Sequence, residues 1–222
     1  MVMHISSSDS QVYKQNLEFW QRAWNMVKVP YTQLPDLNYI SRIPAELEEK
    51  KGSRILDLGC GSGWLCVFLA RNGFDVVGVD VAEHAVELGK IWAADEGLKI
   101  DFLVQDISEL NFPKKSFSAV VANSVFEHLT LELARNTIEK IEDILEPEGI
   151  FLGCFDKVGT GPGEYYKLED GTHVYTDKGR KDMILRYFSD EEIRALFSNA
   201  WEIKAFEPVS DITRILIARK LA

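Results

Sequence analysis

The segment that most constrains the fold of this chain is RILDLGCGSGWLCVFLA, residues 54–70. A short apolar run with strand character leads into Gly59, Gly61 and Gly63, and a helical pattern follows at once. Alternating glycines let the backbone turn sharply and let a ligand approach it without meeting a Cβ atom. The segment therefore predicts a strand, a turn that binds a nucleotide-like ligand, and a helix.

Strand and helix patterns alternate from about residue 53 onward, which is typical of a parallel α/β sheet. Apolar, β-branched runs predict strands covered on both faces, at residues 54–58, 74–80, 99–104, 117–124 and 149–156. Helices are predicted between them, at residues 63–72, 82–96 and 131–145, the last one stopped by Pro147 and Gly149. A final helix at residues 189–197, with Ser189 and Glu192 as a capping box, precedes an antiparallel hairpin of residues 202–207 and 213–219.

Two segments lie outside this alternation. Residues 11–28 form one amphipathic helix in which the apolar side chains recur at steps of three and four: Tyr13, Leu17, Trp20, Trp24 and Val27. Residues 157–186 show no clear period, and loops of that length are usually functional lids or disordered segments. We expect a helical N-terminal cap in residues 1–50 and one ligand-binding domain in residues 51–222, with a lid-like insert at about 157–186.

Acidic residues follow three successive predicted strands: Asp57, Asp80 and Asp106. Taken alone, each of these acids is equally well explained as a ligand contact or as an ordinary loop charge or helix cap. Together they are more informative, because open parallel sheets bind ligands at the carboxyl edge of their strands. A dinucleotide enzyme would share Asp80, but its GxGxxG turn would need a later third glycine and Gly or Ala at Cys66. Asp57 would also repel a diphosphate, whereas it suits a cationic ligand.

Charge and cysteine content narrow the partners. The 222 residues carry a formal charge of -10, which would repel phosphate backbones and anionic lipid surfaces, so neither nucleic acid nor a membrane is the expected partner. Cys60, Cys66 and Cys154 form neither a disulfide framework nor a metal-ligand motif, so no metal is expected. The N-terminus has neither a basic leader nor an apolar region, and we expect a soluble, cytoplasmic protein.

The sequence resembles the Rossmann-like, class I S-adenosylmethionine-dependent methyltransferases, especially the small-molecule branch. The resemblance covers about residues 50–155 and rests on ILDLGCGSG, VVGVD, VQDISELNFPKKSFSAVVANSVFEHL and LEPEGIFL. It implies a doubly wound, mostly parallel sheet of seven strands whose last strand is antiparallel. It also implies that Asp57 and Gly59 lie near the methionine part, that Asp80 holds the ribose, that Asp106 and Ile107 bind the adenine, and that Asn123 lies beside the methionine amino group. Cys60, Gly61 and Val81 complete the set of predicted cofactor-binding residues, with Val81 as an alternative to Ile107 for covering the adenine ring.

The methyl acceptor is less well defined. A small molecule is expected, with S-adenosylhomocysteine as the other product, but oxygen, nitrogen, carbon, sulfur and metalloid acceptors all stay open. His128 is the candidate general base, although Glu127 and His128 also fit the start of a helix. Four aromatic residues are candidate substrate contacts: Trp20, Trp24, Tyr165 and Tyr166. The alternative interpretation is core packing for the two tryptophans and an exposed position in a surface loop for the two tyrosines. A non-catalytic cofactor-binding protein and, less favoured, a nucleotide-dependent oxidoreductase are the alternative functions.

Overall fold

The computed structural model describes residues 7–158 and 163–222, and its centre is a seven-stranded sheet. In chain order the strands of this sheet are β1 (Arg54–Leu58), β2 (Asp75–Asp80), β3 (Asp101–Val104), β4 (Phe117–Asn123), β5 (Leu145–Asp156), β9 (Trp201–Pro208) and β10 (Thr213–Lys220). Their spatial order is β3-β2-β1-β4-β5-β10-β9. The first five strands are parallel, and β10 runs antiparallel to both β5 and β9.

Helices cover both faces of this sheet. They are α1 (Ser7–Asn25), α2 (Arg42–Glu46), α3 (Trp64–Arg71), α4 (Glu83–Asp95), α5 (Leu131–Ile144) and α6 (Asp190–Leu196). Successive residues of a strand face opposite sides, so the sheet builds two cores. Leu56 packs in one core with Ile138 of α5, while Ile55 packs in the other with Leu69 of α3 and Val86 of α4. Each fully buried aliphatic side chain contributes about 1.5–3 kcal/mol, so the predicted strands form where both of their faces are apolar.

The predicted alternation of strands and helices is confirmed, with small shifts in bounds. α1 starts earlier and ends earlier than expected, so Val27 lies in the following turn, where its carbonyl accepts from His84 Nε2 at 2.8 Å. β5 begins at Leu145, directly after α5, because Leu145 already pairs with Phe117 before the register shifts at the next pair. The capping box of α6 is present: Ser189 Oγ accepts from Glu192 N, and Ser189 N donates to Glu192 Oε2.

The segment predicted as an irregular insert contains a second sheet. Its three antiparallel strands are β6 (Tyr165–Lys167), β7 (His173–Tyr175) and β8 (Ile184–Leu185). Residues 159–162 of this predicted insert lie outside the described residues. Val174 and Ile184 are buried in the main core, which is the one that contains Leu56 and Ile138. Arg186 N donates to the carbonyl of Glu127 at 2.7 Å. This small sheet is therefore packed against the turn that follows β4.

Within residues 7–158 and 163–222, none of the helices has the length and apolar character needed to cross a membrane.

Candidate active site

A cavity of about 210 Å³ lies at the carboxyl edge of the sheet, where β1, β2 and β4 end. The glycine turn and the acid-bearing strand ends form its floor, with Gly59, Gly61, Asp80, Val81, Asp106 and Ile107. Helix α1 contributes Tyr13, Asn16, Leu17, Trp20 and Trp24. The segment after β4 completes it with Ser124, Val125, His128 and Leu129. Sequence segments separated by more than 100 residues thus meet around one space.

Asp80 fixes the glycine turn against the end of β2. Its Oδ2 accepts from Gly61 N at 2.9 Å, and its Oδ1 accepts from Ala82 N at 2.9 Å. Burial raises the pKa of this carboxyl, and the two backbone donors oppose that effect. The side chain therefore anchors the turn while it faces the cavity.

Asp106 has a similar position after β3. Its Oδ1 accepts from Ser108 N at 2.8 Å, which caps a short 3-10 turn, and from the Tyr13 hydroxyl at 2.7 Å. Burial and the neighbouring Asp106 carboxylate raise the pKa of Tyr13, so this hydroxyl stays protonated and donates. The contact attaches the first helix to the third acidic strand end.

Gly61 is in contact with helix α1. Its φ is +53°, in the left-handed region, and Trp24 Cζ2 lies 2.7 Å from where a Cβ on residue 61 would sit. Carbon atoms pack at about 3.5–4.0 Å, so a side chain at this position would collide with the indole ring. Both the backbone angle and the close approach explain why glycine stands at this position.

His128 also lines the cavity, in a 3-10 turn at Phe126–His128. Its Nδ1 lies 3.1 Å from the carbonyl oxygen of Ile184 in β8. A carbonyl only accepts, so Nδ1 carries the proton and Nε2 is the acceptor nitrogen of the neutral ring. Burial lowers the pKa of His128, and the Trp20 ring packs edge-on against it with centroids 4.5 Å apart. The hydrogen bond thus selects one tautomer of the neutral ring, and burial favours the neutral form.

Comparison with known proteins identifies the family. Residues 55–149 match a methyltransferase domain family. A ubiquinone biosynthesis O-methyltransferase of Chelativorans sp. (strain BNC1) is 30% identical over 173 residues, which cover 73% of this chain and 67% of that protein. The chain belongs to the S-adenosylmethionine-dependent methyltransferases. The predicted enzyme class and cofactor are confirmed, and the oxidoreductase alternative is not retained. Other relatives with the same name align over 40–64% of their own length.

Solved structures of methyltransferases and related proteins share this fold. A protein from Pyrococcus horikoshii OT3 superposes with a TM-score of 0.73 at 21% identity, covering 90% of this chain and 98% of that one. The magnesium protoporphyrin IX methyltransferase of Synechocystis PCC 6803, solved with bound cofactor, superposes with a TM-score of 0.65 at 19% identity, covering 99% and 100%. The predicted seven-stranded methyltransferase sheet with its antiparallel last strand is confirmed.

The groups that line the cavity of this methyltransferase suit S-adenosylmethionine in charge. The cofactor carries a sulfonium and an ammonium group, and the carboxyl side chains of Asp80 and Asp106 line the cavity. The turn brings the backbone of Gly59 and Gly61 to the cavity without a Cβ atom, and the Trp24 ring packs against Gly61.

Several of the predicted cofactor residues lie away from the cavity wall. Asp57 is buried beneath the turn, where it accepts from Cys66 Sγ at 3.0 Å, and burial raises its pKa to about 7. Cys60 is also buried, and Asn123 accepts from the Tyr39 hydroxyl at 3.1 Å through its side chain. These three residues support the turn and the end of β4, and a contact of their own with the cofactor stays a prediction.

The two predicted tyrosines of the insert are not at the cavity. Tyr165 stacks on His173, with ring centroids 4.4 Å apart, and Tyr166 is 47% exposed. Both belong to β6, and β7 lies between β6 and the strand β8 that reaches His128. We therefore do not carry these two residues into the proposed acceptor site.

Sequence reasoning missed other lining residues, chiefly Asn16, Ser124 and Val125. Ser124 has a φ of +53° without being glycine, which marks a strained backbone at the end of β4. The signal for Asn16 was present, because it is a polar residue next to the apolar stripe of α1. The signal for Ser124 and Val125 was their position directly after a predicted strand end.

Proposed function

We propose that this methyltransferase transfers a methyl group to a hydroxyl oxygen of a small, largely apolar acceptor, with His128 as general base. The observation that carries the proposal is the setting of His128, a residue that lines the cavity and whose Nδ1 donates to the Ile184 carbonyl, so that Nε2 is its acceptor nitrogen. The same cavity is lined by Asp80, Asp106 and the glycine turn. A base and a cofactor-binding edge therefore share one space.

The cofactor residues have separate roles in this proposal. The Asp80 carboxylate accepts from the ribose hydroxyls, and Asp106 accepts from the adenine amino group while Val81 and Ile107 cover the ring. The Tyr13 hydroxyl and Ser108 N both donate to Oδ1 of Asp106, which favours Oδ2 for the ligand. Trp24 lies against the turn and closes the site on the side of α1.

His128 acts on the proton of the acceptor. When bound, S-adenosylmethionine supplies a methyl group activated by the positive charge on sulfur. An acceptor hydroxyl must lose its proton as its oxygen bonds to that carbon, while the electron pair of the C–S bond stays on the departing thioether sulfur. Nε2 of neutral His128 takes the proton, and the lowered pKa of the ring keeps it ready for this at neutral pH.

The acceptor class follows from the walls around His128. Leu17, Trp20, Val125 and Leu129 present apolar surface, which favours an aromatic or otherwise apolar molecule over a highly charged one. Relatives named O-methyltransferases at about 30% identity support oxygen as the atom methylated. The formal charge of -10 opposes nucleic acid as substrate, and free, buried cysteines are consistent with the cytoplasm.

A screen of small acceptors tests the proposal by following S-adenosylhomocysteine formation with the full chain. The panel contains phenols, carboxylic acids, amines and thiols of matched size. We expect turnover with phenolic or other hydroxyl acceptors, and loss of about a hundredfold in kcat with His128→Ala at unchanged cofactor affinity. Transfer only to nitrogen or sulfur, or full activity of His128→Ala, would overturn the proposal. No turnover with any acceptor, despite cofactor binding, would favour the non-catalytic alternative.

A further inference from the structure

Asn16 and His128 belong to one closed set of hydrogen bonds. Asn16 Nδ2 donates to the His128 carbonyl at 3.2 Å, and Asn16 Oδ1 accepts from Ile184 N at 3.0 Å. The Ile184 carbonyl in turn accepts from the His128 ring. Three segments that are distant in sequence, helix α1, the turn after β4 and strand β8, thus meet around one asparagine.

The orientation of the Asn16 amide follows from its partners. A carbonyl oxygen only accepts and a backbone N–H only donates, so Nδ2 must face His128 and Oδ1 must face Ile184. The side chain is 1% exposed, so water does not replace these bonds if they are lost. Its amide reaches both the backbone of His128 and the backbone that holds the His128 ring.

A second contact from the same helix acts on the ring itself. Trp20 follows Asn16 by four residues, so both side chains lie on one face of α1. Trp20 packs against the His128 ring, while Asn16 fixes the peptide groups on either side of it. Helix α1 therefore constrains both the position of the histidine and the carbonyl that selects its tautomer.

We propose that Asn16 is a positioning residue for the methyl-transfer reaction, one that holds His128 in the Nδ1-protonated form with Nε2 free to accept a proton. This inference rests on the proposed role of His128 as base. A side chain at position 16 that lacks either a donor or an acceptor would leave the His128 carbonyl or the Ile184 N–H without its buried partner. The turn and β8 would then separate, and the bond from Nδ1 to Ile184 would weaken.

The test reads the ring directly, before any turnover. Ring ¹⁵N shifts of the four histidines are recorded by NMR on the full chain, with His128 assigned from its absence in His128→Gln. Wild-type protein should show the Nδ1–H tautomer across neutral pH. Asn16→Ala should show a mixture of tautomers, and the pKa of His128 should fall further below its usual value, because the bond to the Ile184 carbonyl raises that pKa and is weakened in the variant. The Asp156 carboxylate, which also raises the pKa of His128, is unchanged in the variant.

Asn16→Asp provides a second variant in case the alanine variant does not fold. It keeps an oxygen for Ile184 N but loses the donor to the His128 carbonyl, so partial loss of the single tautomer is expected. Two controls separate positioning from general effects. Gln21→Ala changes an exposed residue of the same helix. Ile141→Val removes a buried methylene of α5 and lowers the unfolding free energy by about 1 kcal/mol. Neither should change the His128 signals.

Steady-state kinetics complete the test once an acceptor is in hand. Asn16→Ala should lower kcat by about tenfold or more while the KM for S-adenosylmethionine changes by less than about threefold. An unchanged His128 tautomer in folded Asn16→Ala would overturn this inference, whatever the acceptor. Full activity of His128→Gln would instead overturn the role of His128 as base, so the two failures are distinguishable.

Discussion

Gly61→Ala tests whether the turn after β1 is built for a close ligand. Gly61 and Gly97 both have left-handed backbones, with φ of +53° and +64°, but a Cβ on Gly97 meets nothing within 4 Å. Alanine in this conformation costs about 1–2 kcal/mol at either position. Gly97→Ala is therefore a matched control that carries the backbone cost alone.

The additional effect at Gly61 comes from Trp24. The new Cβ would lie 2.7 Å from Trp24 Cζ2, so the ring must move by about 1 Å to reach ordinary carbon contact distance. Forced overpacking of this kind costs about 1–3 kcal/mol. We expect Gly61→Ala to lose that much more unfolding free energy than Gly97→Ala, and Trp24→Ala to remove most of the difference when the two changes are combined.

The assays are urea denaturation for stability and calorimetry for S-adenosylmethionine binding. Gly61→Ala should weaken binding at least tenfold, or about 1.4 kcal/mol, because its methyl group enters the lined cavity. Gly97→Ala should bind as wild type. Equal affinity and equal stability of the two variants would refute the reasoning that the turn leaves out a Cβ for Trp24 and the cofactor.

Three further predictions concern the charged groups. Asp80→Ala should weaken S-adenosylmethionine binding at least tenfold in calorimetry, because it removes a carboxylate from the cavity and leaves Gly61 N without its acceptor. Asp101→Ala is the control: it removes an exposed acid from β3 and should not change binding. The kcat of wild type should fall with decreasing pH, with an apparent pKa below 6.5, because protonated His128 cannot accept a proton and burial lowers its pKa; a fall in kcat with an apparent pKa above 6.5 would contradict this. Glu127 is buried with a pKa raised by burial from 4.5 to about 8, so the folded chain keeps a proton that the unfolded chain releases, and unfolding free energy should decline as pH rises through that window. In urea denaturation, Glu127→Gln should remove that decline, and at pH 8 its unfolding free energy should exceed that of wild type by up to about 5 kcal/mol, at about 1.4 kcal/mol for each pKa unit. Identical pH dependence of the unfolding free energy in the two proteins would disprove this.

The cofactor half of the molecule was predictable because its signals are local. A strand, a glycine turn and a helix are adjacent in residues 54–71, and parallel strands bring Asp80 and Asp106 to the same edge without further information. The residue whose prediction depended on charge alone, Asp57, lies below the turn beside a thiol. Sequence position established its neighbourhood, whereas its orientation depends on the packing of α3.

The small sheet of residues 165–185 was not predictable in the same way. Strands of two or three residues are too short to show a period, so the segment reads as an irregular loop. β8 exists because Ile184 is buried in the main core and pairs with Val174. A segment whose structure comes from long-range packing gives no local pattern, although its apolar residues are ordinary core residues.

The setting of His128 shows where sequence reasoning ends for the acceptor side. The histidine itself was identifiable from its position after β4, but its tautomer depends on a carbonyl 56 residues away and on an asparagine 112 residues away. The sequence favoured core packing for the aromatic face of α1, with a site wall as the alternative. The helix combines both: Tyr13 is buried against Asp106, while Trp20 and Trp24 line the cavity. Because one face of α1 contacts the cofactor turn and the proposed base together, a substitution there should affect cofactor binding and methyl transfer in proportions that depend on the residue changed. Trp24 should act mainly on the former, and Asn16 on the latter.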